Sequence, residues 1–454
     1  MIDMGKNLYI KTFGCQMNER DSEIIEQLLA QQGYILTDTV EDADLVLVNT
    51  CSIRDKAEQK VYSLLGHLRE AKAKNPSLRI GVTGCVAQQE SGRIVERMPH
   101  VDLVVGTQQI YRLPAMLDRL EHGKGMDTGI ATTLDAGFVI PAFQKLLHNS
   151  PPSPASHEFK RFVTIMQGCD NYCSYCVVPA TRGREISRPV SDLIEEVEIL
   201  VDQGIREVTL LGQNVNSYHR NSEADGGGNA FANLLRRVAG VQGLQRLRFT
   251  TSHPKDLSED LMRCFAEIDI LCPHFHLPVQ SGSNAVLQRM NRKYTVESYL
   301  QKVDMLRTFC PDIALATDVI VGFPGETEAD FQATLDLLGS VRFHGSFSFK
   351  YSDRPHTRSA TFADKIPEEI KSQRLARFQQ LQDVISLERN KEYIGKKIEV
   401  MVEDCSMNRC KGRTPANHVV HFSNPNHQAL LPGALVDVRI NHAGKHSLKG
   451  EYCQ

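Results

Sequence analysis

An α/β fold is predicted for this chain, in three parts, from three observations. Strand-like runs alternate with amphipathic helical runs in the first hundred or so residues. A second series of six strand candidates, again separated by helical runs, lies between residues 160 and 350. After residue 395 short strand-like runs follow one another with Gly and Pro turns and no helix. The first pattern implies an open parallel sheet and the second a partial (β/α) barrel. The third implies a small β-barrel. Domain boundaries are expected at 6–145, 155–386 and 387–454, a number of domains ordinary for 454 residues. A hydrophobic share of 41% supports sizeable cores.

In the first part, Tyr9-Ile10-Lys11-Thr12-Phe13 reads as a strand, and Cys15 and a helix with Ile24, Ile25, Leu28 and Leu29 follow. Leu45 to Thr50 is a buried-type strand that ends at Cys51. Arg79 to Gly84 is a third, ending at Cys85, and Val101 to Gly106 starts a fourth unit. In open parallel sheets ligands gather beyond the carboxyl ends of the strands, where helix N-termini also favour anions. Three cysteines at equivalent points of three units can therefore converge on one iron–sulfur cluster. Taken singly, each would read as a small buried residue.

A linker-like stretch, Asn149-Ser150-Pro151-Pro152-Ser153-Pro154, separates this part from the next. Phe162 to Met166 is a strand that leads into Cys169-x-x-x-Cys173-x-x-Cys176. Three thiolates at this spacing can hold three irons of a 4Fe-4S cluster. The fourth iron then stays open to a small molecule, as an open coordination position does at a catalytic metal. Zinc sites pair two knuckles or add spaced histidines, and neither lies nearby.

The remaining strand candidates cover 207–211, 246–250, 274–277, 314–321 and 345–349. Polar residues collect at their carboxyl ends: Gln213 and Asn214, Ser252 and His253, Gln280 and Ser281, Asp318, and the turn Gly322-Phe323-Pro324-Gly325-Glu326. In such barrels functional groups sit at that face. Gln213, Ser252, Gln280, Asp318 and Tyr175, the aromatic before the third cluster cysteine, are the candidate cofactor contacts. Tyr175 could equally pack beneath the loop. The tract 181–189 carries Arg182, Arg184 and Arg188, suited to carboxylate or phosphate or else a solvated basic loop. Asp225-Gly226-Gly227-Gly228-Asn229 reads as an insertion loop. Cys264, Cys272 and Cys310 read as packing residues, and Cys405, Cys410 and Cys453 do not form a metal set.

A helix through Leu375, Phe378, Leu381 and Ile385 precedes the last part, whose strands are expected at 398–402, 418–422 and 434–440. The whole chain has a formal net charge of −3, but residues 388–454 hold ten Lys and Arg against seven Asp and Glu, with five histidines. A basic module on an acidic body is the asymmetry of an attached nucleic-acid-binding domain. Lys411, Arg413, Asn417 and His418 are its candidate phosphate or base contacts. The start of the chain leads into a strand and not a signal peptide, and no apolar run is long enough for a membrane span. A soluble cytoplasmic protein with reduced thiols is expected, as a monomer.

Together these residues resemble the radical S-adenosylmethionine methylthiotransferase family over almost the whole chain. The two cysteine triads carry the resemblance. Tyr-Cys-Val-Val-Pro at 175–179, Gly-Arg-Glu-Ile-Ser-Arg-Pro at 183–189 and Gly-Arg-Thr-x-x-Asn-His at 412–418 look like the branch that modifies transfer RNA. His418 stands where many members carry Arg, which removes any contact there specific to Arg. The resemblance implies an N-terminal methylthiotransferase domain, a radical core and a C-terminal TRAM domain. It implies two 4Fe-4S clusters, held by Cys15, Cys51 and Cys85 and by Cys169, Cys173 and Cys176, and two S-adenosylmethionine molecules per turnover. One is cleaved to a 5′-deoxyadenosyl radical that attacks carbon 2 of an N(6)-isopentenylated adenosine next to the anticodon, at position 37. The auxiliary cluster then delivers sulfur, and the second S-adenosylmethionine the methyl group. Implied partners are transfer RNA, an electron donor of flavodoxin or ferredoxin type, and iron–sulfur assembly proteins. The alternatives are a threonylcarbamoylated adenosine, a ribosomal-protein side chain, and a non-catalytic RNA-binding iron–sulfur sensor.

Overall fold

The computed structural model describes residues 5–52, 55–122, 127–130, 140–141, 158–219, 229–406, 408–424 and 429–453. The expected linker at 149–154 and most of the expected insertion loop at 225–229 lie outside the described residues. The chain divides into two units: residues 1–154 with 166–170 and 177–188, and residues 155–165, 171–176 and 189–454. Among the described residues no helix is long and apolar enough to cross a membrane.

The first unit is built on six parallel strands, β1 (Lys6–Thr12), β2 (Tyr34–Leu36), β3 (Leu45–Thr50), β4 (Arg79–Gly84), β5 (Leu103–Val105) and β6 (Asp127–Gly129). They lie in the order β2-β1-β3-β4-β5-β6. The core is the doubly covered centre of this sheet. Val46, Val48, Ile80, Val82 and Val104 pack against Val61, Leu65, Leu68 and Ile94 of the helices Asp55–Lys74 and Cys85–Arg97. Strands buried on both faces read as continuous apolar runs, which is why β3 and β4 are plain in the sequence. The strand order reverses between β1 and β3, because β1 pairs with β2 on one side and β3 on the other. That switch point is where open α/β sheets place ligands.

In the second unit, Lys160–Thr164, Glu207–Leu211 and Arg246–Phe249 form one parallel sheet, and His274–His276, Ala314–Val321 and Gly345–Lys350 another. Leu247 bridges the two, accepting from Cys272 N at 2.9 Å and donating to Ile270 O at 2.8 Å. Six parallel strands in chain order form the expected partial (β/α) barrel. Phe249 and Phe275 of adjacent strands meet Phe265 of the helix Glu259–Glu267 with ring centroids 5.4–5.8 Å apart, packing that helix on the strands. The turn 322–326 is fixed from below. The buried Glu326 carboxylate accepts from Gly322 N at 2.7 Å and pairs with Arg374 of the helix Glu368–Lys391 at 2.7 Å.

The same unit ends in a closed five-stranded barrel. Its strands are Lys397–Ser406, Arg409–Arg413, Val419–Ser423, Leu435–Ala443 and Ser447–Cys453. Val400, Val402, Val420, Phe422, Val438, Ile440 and Leu448 fill it. Arg246 and Arg248 fasten it to the partial barrel. Arg246 donates to Arg413 O at 2.7 Å and pairs with Glu399 at 2.9 Å, and Arg248 donates to Pro415 O at 2.8 Å. Cys405 and Cys410 face each other as a cross-strand pair on adjacent strands.

Candidate functional site

In the first unit, each of three cysteines follows a strand of the sheet. Cys15 caps the helix Gln16–Ala30 after β1, Cys51 directly follows β3, and Cys85 opens the helix Cys85–Arg97 after β4. The turn before Cys15 needs a glycine. Gly14 has φ +115°, and a Cβ there would meet the Cys51 side chain, with Cys51 Sγ only 2.7 Å away. Asn18, fully buried, ties the turns together by donating to Phe13 O and Thr50 O, both at 2.8 Å.

The three thiols share one electrostatic environment. A hydrogen bond with Cys51 is the main reason that the Cys15 thiol is drawn down to about 6; burial opposes it and the nearby Arg182 charge assists. Burial pushes the Cys85 thiol up, while the nearby Arg182 charge pulls the other way. Arg182 is 3% exposed. It pairs with Asp21 Oδ2 at 2.7 Å and donates to Asn18 Oδ1 at 3.0 Å. Its segment is held by Thr107 Oγ1 and Gln108 Nε2, which donate to the carbonyls of Thr181 and Arg182. The arginine tract is thus only in part a solvated loop. Arg182 and Arg188 are buried, whereas Arg184 is exposed, 3.4 Å from Asp170.

Among the described residues no three Cys, His, Asp or Glu side chains are grouped to hold a metal ion. An iron–sulfur cluster is a larger body, held by thiolates at its corners. The donor set fits such a group on two counts. Its thiols lie beside a buried cation, and Arg182 Nη1 has no hydrogen-bond partner among the described residues. A sulfur-rich anion would supply that acceptor.

The cluster loop of the core is shaped by its own residues. Gly168 has φ +83°, and a side chain there would strike the Arg184 backbone. Cys169 N donates to Gly183 O at 3.2 Å within the first unit. In the second unit, Cys176 N donates to Cys173 O at 3.0 Å, and Asn291 Nδ2 holds Tyr172 O at 2.8 Å. Arg292, 7% exposed, places Nη1 3.4 Å from Cys173 Sγ and Nη2 2.9 Å from Pro278 O. Tyr175 takes the packing alternative: its ring lies against Val286, Met290, Phe323 and Tyr351, and burial raises its phenol. Arg292 was not singled out by sequence reasoning, and Arg182 was named only as a member of the arginine tract. Each is an arginine near a cysteine in space and remote from it in sequence.

At the carboxyl ends of the partial barrel the structure brings several predicted residues to one face. Ser252 and Gln280 are buried, and Ser252 Oγ and Gln280 Oε1 have no hydrogen-bond partner among the described residues. Both lie beside left-handed backbone, with φ +69° at Thr251 and +70° at Gln280 itself. Gln280 is anchored by its backbone, which donates to Asp318 O at 2.8 Å. Asp318 has a partner already, His276 Nε2 at 2.8 Å. Gln213 ends the strand Glu207–Leu211 two residues on, and its neighbour Asn214 donates to Asp256 at 2.8 Å.

The expected RNA contacts have partners within the chain. His418 sits against Tyr393 and His344, ring centroids 4.8 and 5.7 Å apart, and burial lowers it to about 4. It is neutral near pH 7 and offers no cation. Arg413 pairs with Glu403 at 2.9 Å and donates to Asn417 Oδ1 at 3.2 Å, so these two residues serve the barrel's own structure. Lys411 keeps an exposed ammonium, 3.3 Å from Glu403. Strand register adds three residues not anticipated, His421, Lys449 and His442, which stand in one row with Lys411 across four adjacent strands. His421, Lys449 and His442 are exposed.

Three known family profiles match successive parts of the chain. The profile described as Uncharacterized protein family UPF0004 matches residues 7–106, that of the Radical SAM superfamily 163–338, and that of the TRAM domain 391–452. A curated tRNA-2-methylthio-N(6)-dimethylallyladenosine synthase of Desulfotalea psychrophila is 55% identical over 447 residues, 98% of each chain. One of Geobacter sulfurreducens is 48% identical over 98% of this chain and 97% of its own. Among solved structures, the radical S-adenosylmethionine methyltransferase TsrM of Kitasatospora setae superposes with a TM-score of 0.54 at 16% identity, covering 79% of this chain and 74% of that one. This last likeness is one of fold.

Proposed function

The chain belongs to the family of tRNA-2-methylthio-N(6)-dimethylallyladenosine synthases, and we propose that it converts N(6)-isopentenyladenosine at position 37 of transfer RNA to its 2-methylthio derivative. The observation that carries this reading is the pair of cysteine triads, one at the strand ends of an open parallel sheet and one in the loop that opens a partial barrel. Cys169, Cys173 and Cys176 would hold the radical-core cluster, and Cys15, Cys51 and Cys85 the auxiliary one. When bound, the first cluster supplies the electron that cleaves S-adenosylmethionine, and the second supplies sulfur.

The chain's own residues supply position and charge. Arg292 places a fixed cation beside the Cys173 thiolate, which stabilises the deprotonated ligand. Ser252 and Gln280 present unpaired polar atoms at the barrel's carboxyl face, and would take the polar groups of S-adenosylmethionine. Gln213 and Asp318 lie at or near the same strand ends, with Asp318 acting through His276 or after exchanging it. Tyr175 packs the loop from beneath and sets its height. On the small barrel, the row Lys411, His421, Lys449 and His442 is the surface suited to an RNA backbone.

The test is reconstitution. Anaerobically reconstituted protein should be incubated with reductant, S-adenosylmethionine and transfer RNA carrying either an isopentenyl or a threonylcarbamoyl group on adenosine 37. The 2-methylthio product should form on the isopentenylated RNA. Product on the threonylcarbamoylated RNA alone would transfer the assignment to the other nucleoside. Cofactor cleavage with neither RNA modified would point to a different acceptor.

A further inference from the structure

We propose that Arg182 is the charge-balancing and positioning residue of the Cys15, Cys51 and Cys85 site, delivered to it by the short helix Val178–Arg182 that follows the Cys169, Cys173, Cys176 motif in the chain. The proposal rests on the reading of those three cysteines as cluster ligands. Three features of the first unit support it. Arg182 is buried where a lone cation is costly, so its position must be compensated. Among the described residues one carboxylate compensates it directly, Asp21 at 2.7 Å, with the amide oxygen of Asn18 at 3.0 Å. Its remaining terminal nitrogen, Nη1, is buried and has no hydrogen-bond partner among the described residues.

Asn18 makes the arrangement specific. Its amide nitrogen holds the carbonyls of Phe13 and Thr50, next to Cys15 and Cys51, and its amide oxygen receives Arg182. Arg182 is thereby locked to the same scaffold that positions two of the three thiols. The clamps from Thr107 and Gln108 on the carbonyls of Thr181 and Arg182 fix the approach of its helix. A thiolate-bound cluster gains negative charge on reduction, and its potential follows the charge and hydrogen bonding around its sulfurs. A cation and its carboxylate partner must then act on that potential with opposite signs.

The experiment uses the full chain with Cys169→Ala, Cys173→Ala and Cys176→Ala, so that one cluster remains. Its midpoint potential and iron content are read by spectroelectrochemistry and iron analysis. Asp21→Asn should move the potential upward and Arg182→Gln downward. Arg182→Lys should stay near the parent value, and the double variant Asp21→Asn with Arg182→Gln should fall between the two single ones. Should Arg182→Gln not fold, Asp21→Asn and Arg182→Lys carry the test. Shifts of the same sign, or no shift with iron retained, would overturn the role of Arg182 alone. A parent that takes up no iron–sulfur cluster would overturn the ligand assignment beneath it.

Discussion

Cys15 and Cys169 belong to different triads, and their removal should have different consequences. Cys169→Ala should abolish S-adenosylmethionine cleavage together with modification. Cys15→Ala should abolish methylthiolation yet leave cofactor cleavage measurable by 5′-deoxyadenosine release. Equal loss of cleavage in both variants, with the radical-core cluster intact by spectroscopy, would contradict the division of labour. The cysteines were legible in the sequence because spacing and strand-end position are both local. Their arginines were not. Arg292 is 119 residues from Cys173, and Arg182 is 161 from Asp21, so only the fold brings them together. The setting of His418 was not legible for a related reason. Its burial by Tyr393 and His344 is a tertiary fact that an isolated basic segment does not reveal.

The same histidines give a pH dependence. Burial lowers His344 to about 3 and His418 to about 4, from an ordinary 6.5. The unfolded chain therefore binds protons that the folded chain refuses. Stability is fully present above about 6.5 and is lost as pH falls towards 4. Each histidine contributes a slope of up to about 1.4 kcal/mol per pH unit in that window. Denaturant titrations at pH 7, 6 and 5 should show the loss, and His418→Phe should flatten it. An unchanged slope in that variant would mean that His418 is protonated in the folded protein.

Among the elements, the turn 322–326 and the helix Glu368–Lys391 are joined by the buried Arg374–Glu326 pair. Arg374→Met should destabilise the protein by about 3–5 kcal/mol, because it strands a buried carboxylate. Adding Glu326→Gln should recover part of that loss, and a double variant no more stable than the single one would show the pair to be irrelevant. The sequence showed the turn and the helix but not their connection. It also missed two strands of the small barrel, Arg409–Arg413 and Ser447–Cys453. Their inward positions include Gly412 and Gly450, whose lack of a side chain leaves the alternating pattern without an apolar signal.

The outer row of that barrel gives a prediction of its own. Replacing Lys411 and Lys449 together by Ala should weaken transfer-RNA binding and flatten the slope of log affinity against log salt by roughly 1–2 units, at about 0.7–0.9 per phosphate contact. Arg413→Ala should instead lower stability, since its guanidinium is committed to Glu403 and Asn417. Binding isotherms at several salt concentrations check both statements. A double-lysine variant with wild-type slope and affinity would remove the row from the RNA interface.

At the scale of the whole molecule, three sequence segments become three proposed chemical duties: an α/β sheet that would hold the sulfur-delivering cluster, a partial barrel that would hold S-adenosylmethionine, and a basic barrel that would bind RNA. The parallel sheet, the partial barrel and the closed barrel all follow from alternation patterns that span whole elements, which is why they were legible. The grouping of 166–170 and 177–188 with the N-terminal unit was not, because no composition shift marks it. The most direct measurement of the central claim is nucleoside mass spectrometry of transfer RNA from cells with and without this protein. The account predicts that 2-methylthio-N(6)-isopentenyladenosine disappears without it, that N(6)-isopentenyladenosine accumulates in its place, and that wild-type protein but neither Cys15→Ala nor Cys169→Ala restores the modified nucleoside. Persistence of the methylthio nucleoside in cells lacking the protein, with no second enzyme of this family present, would contradict it.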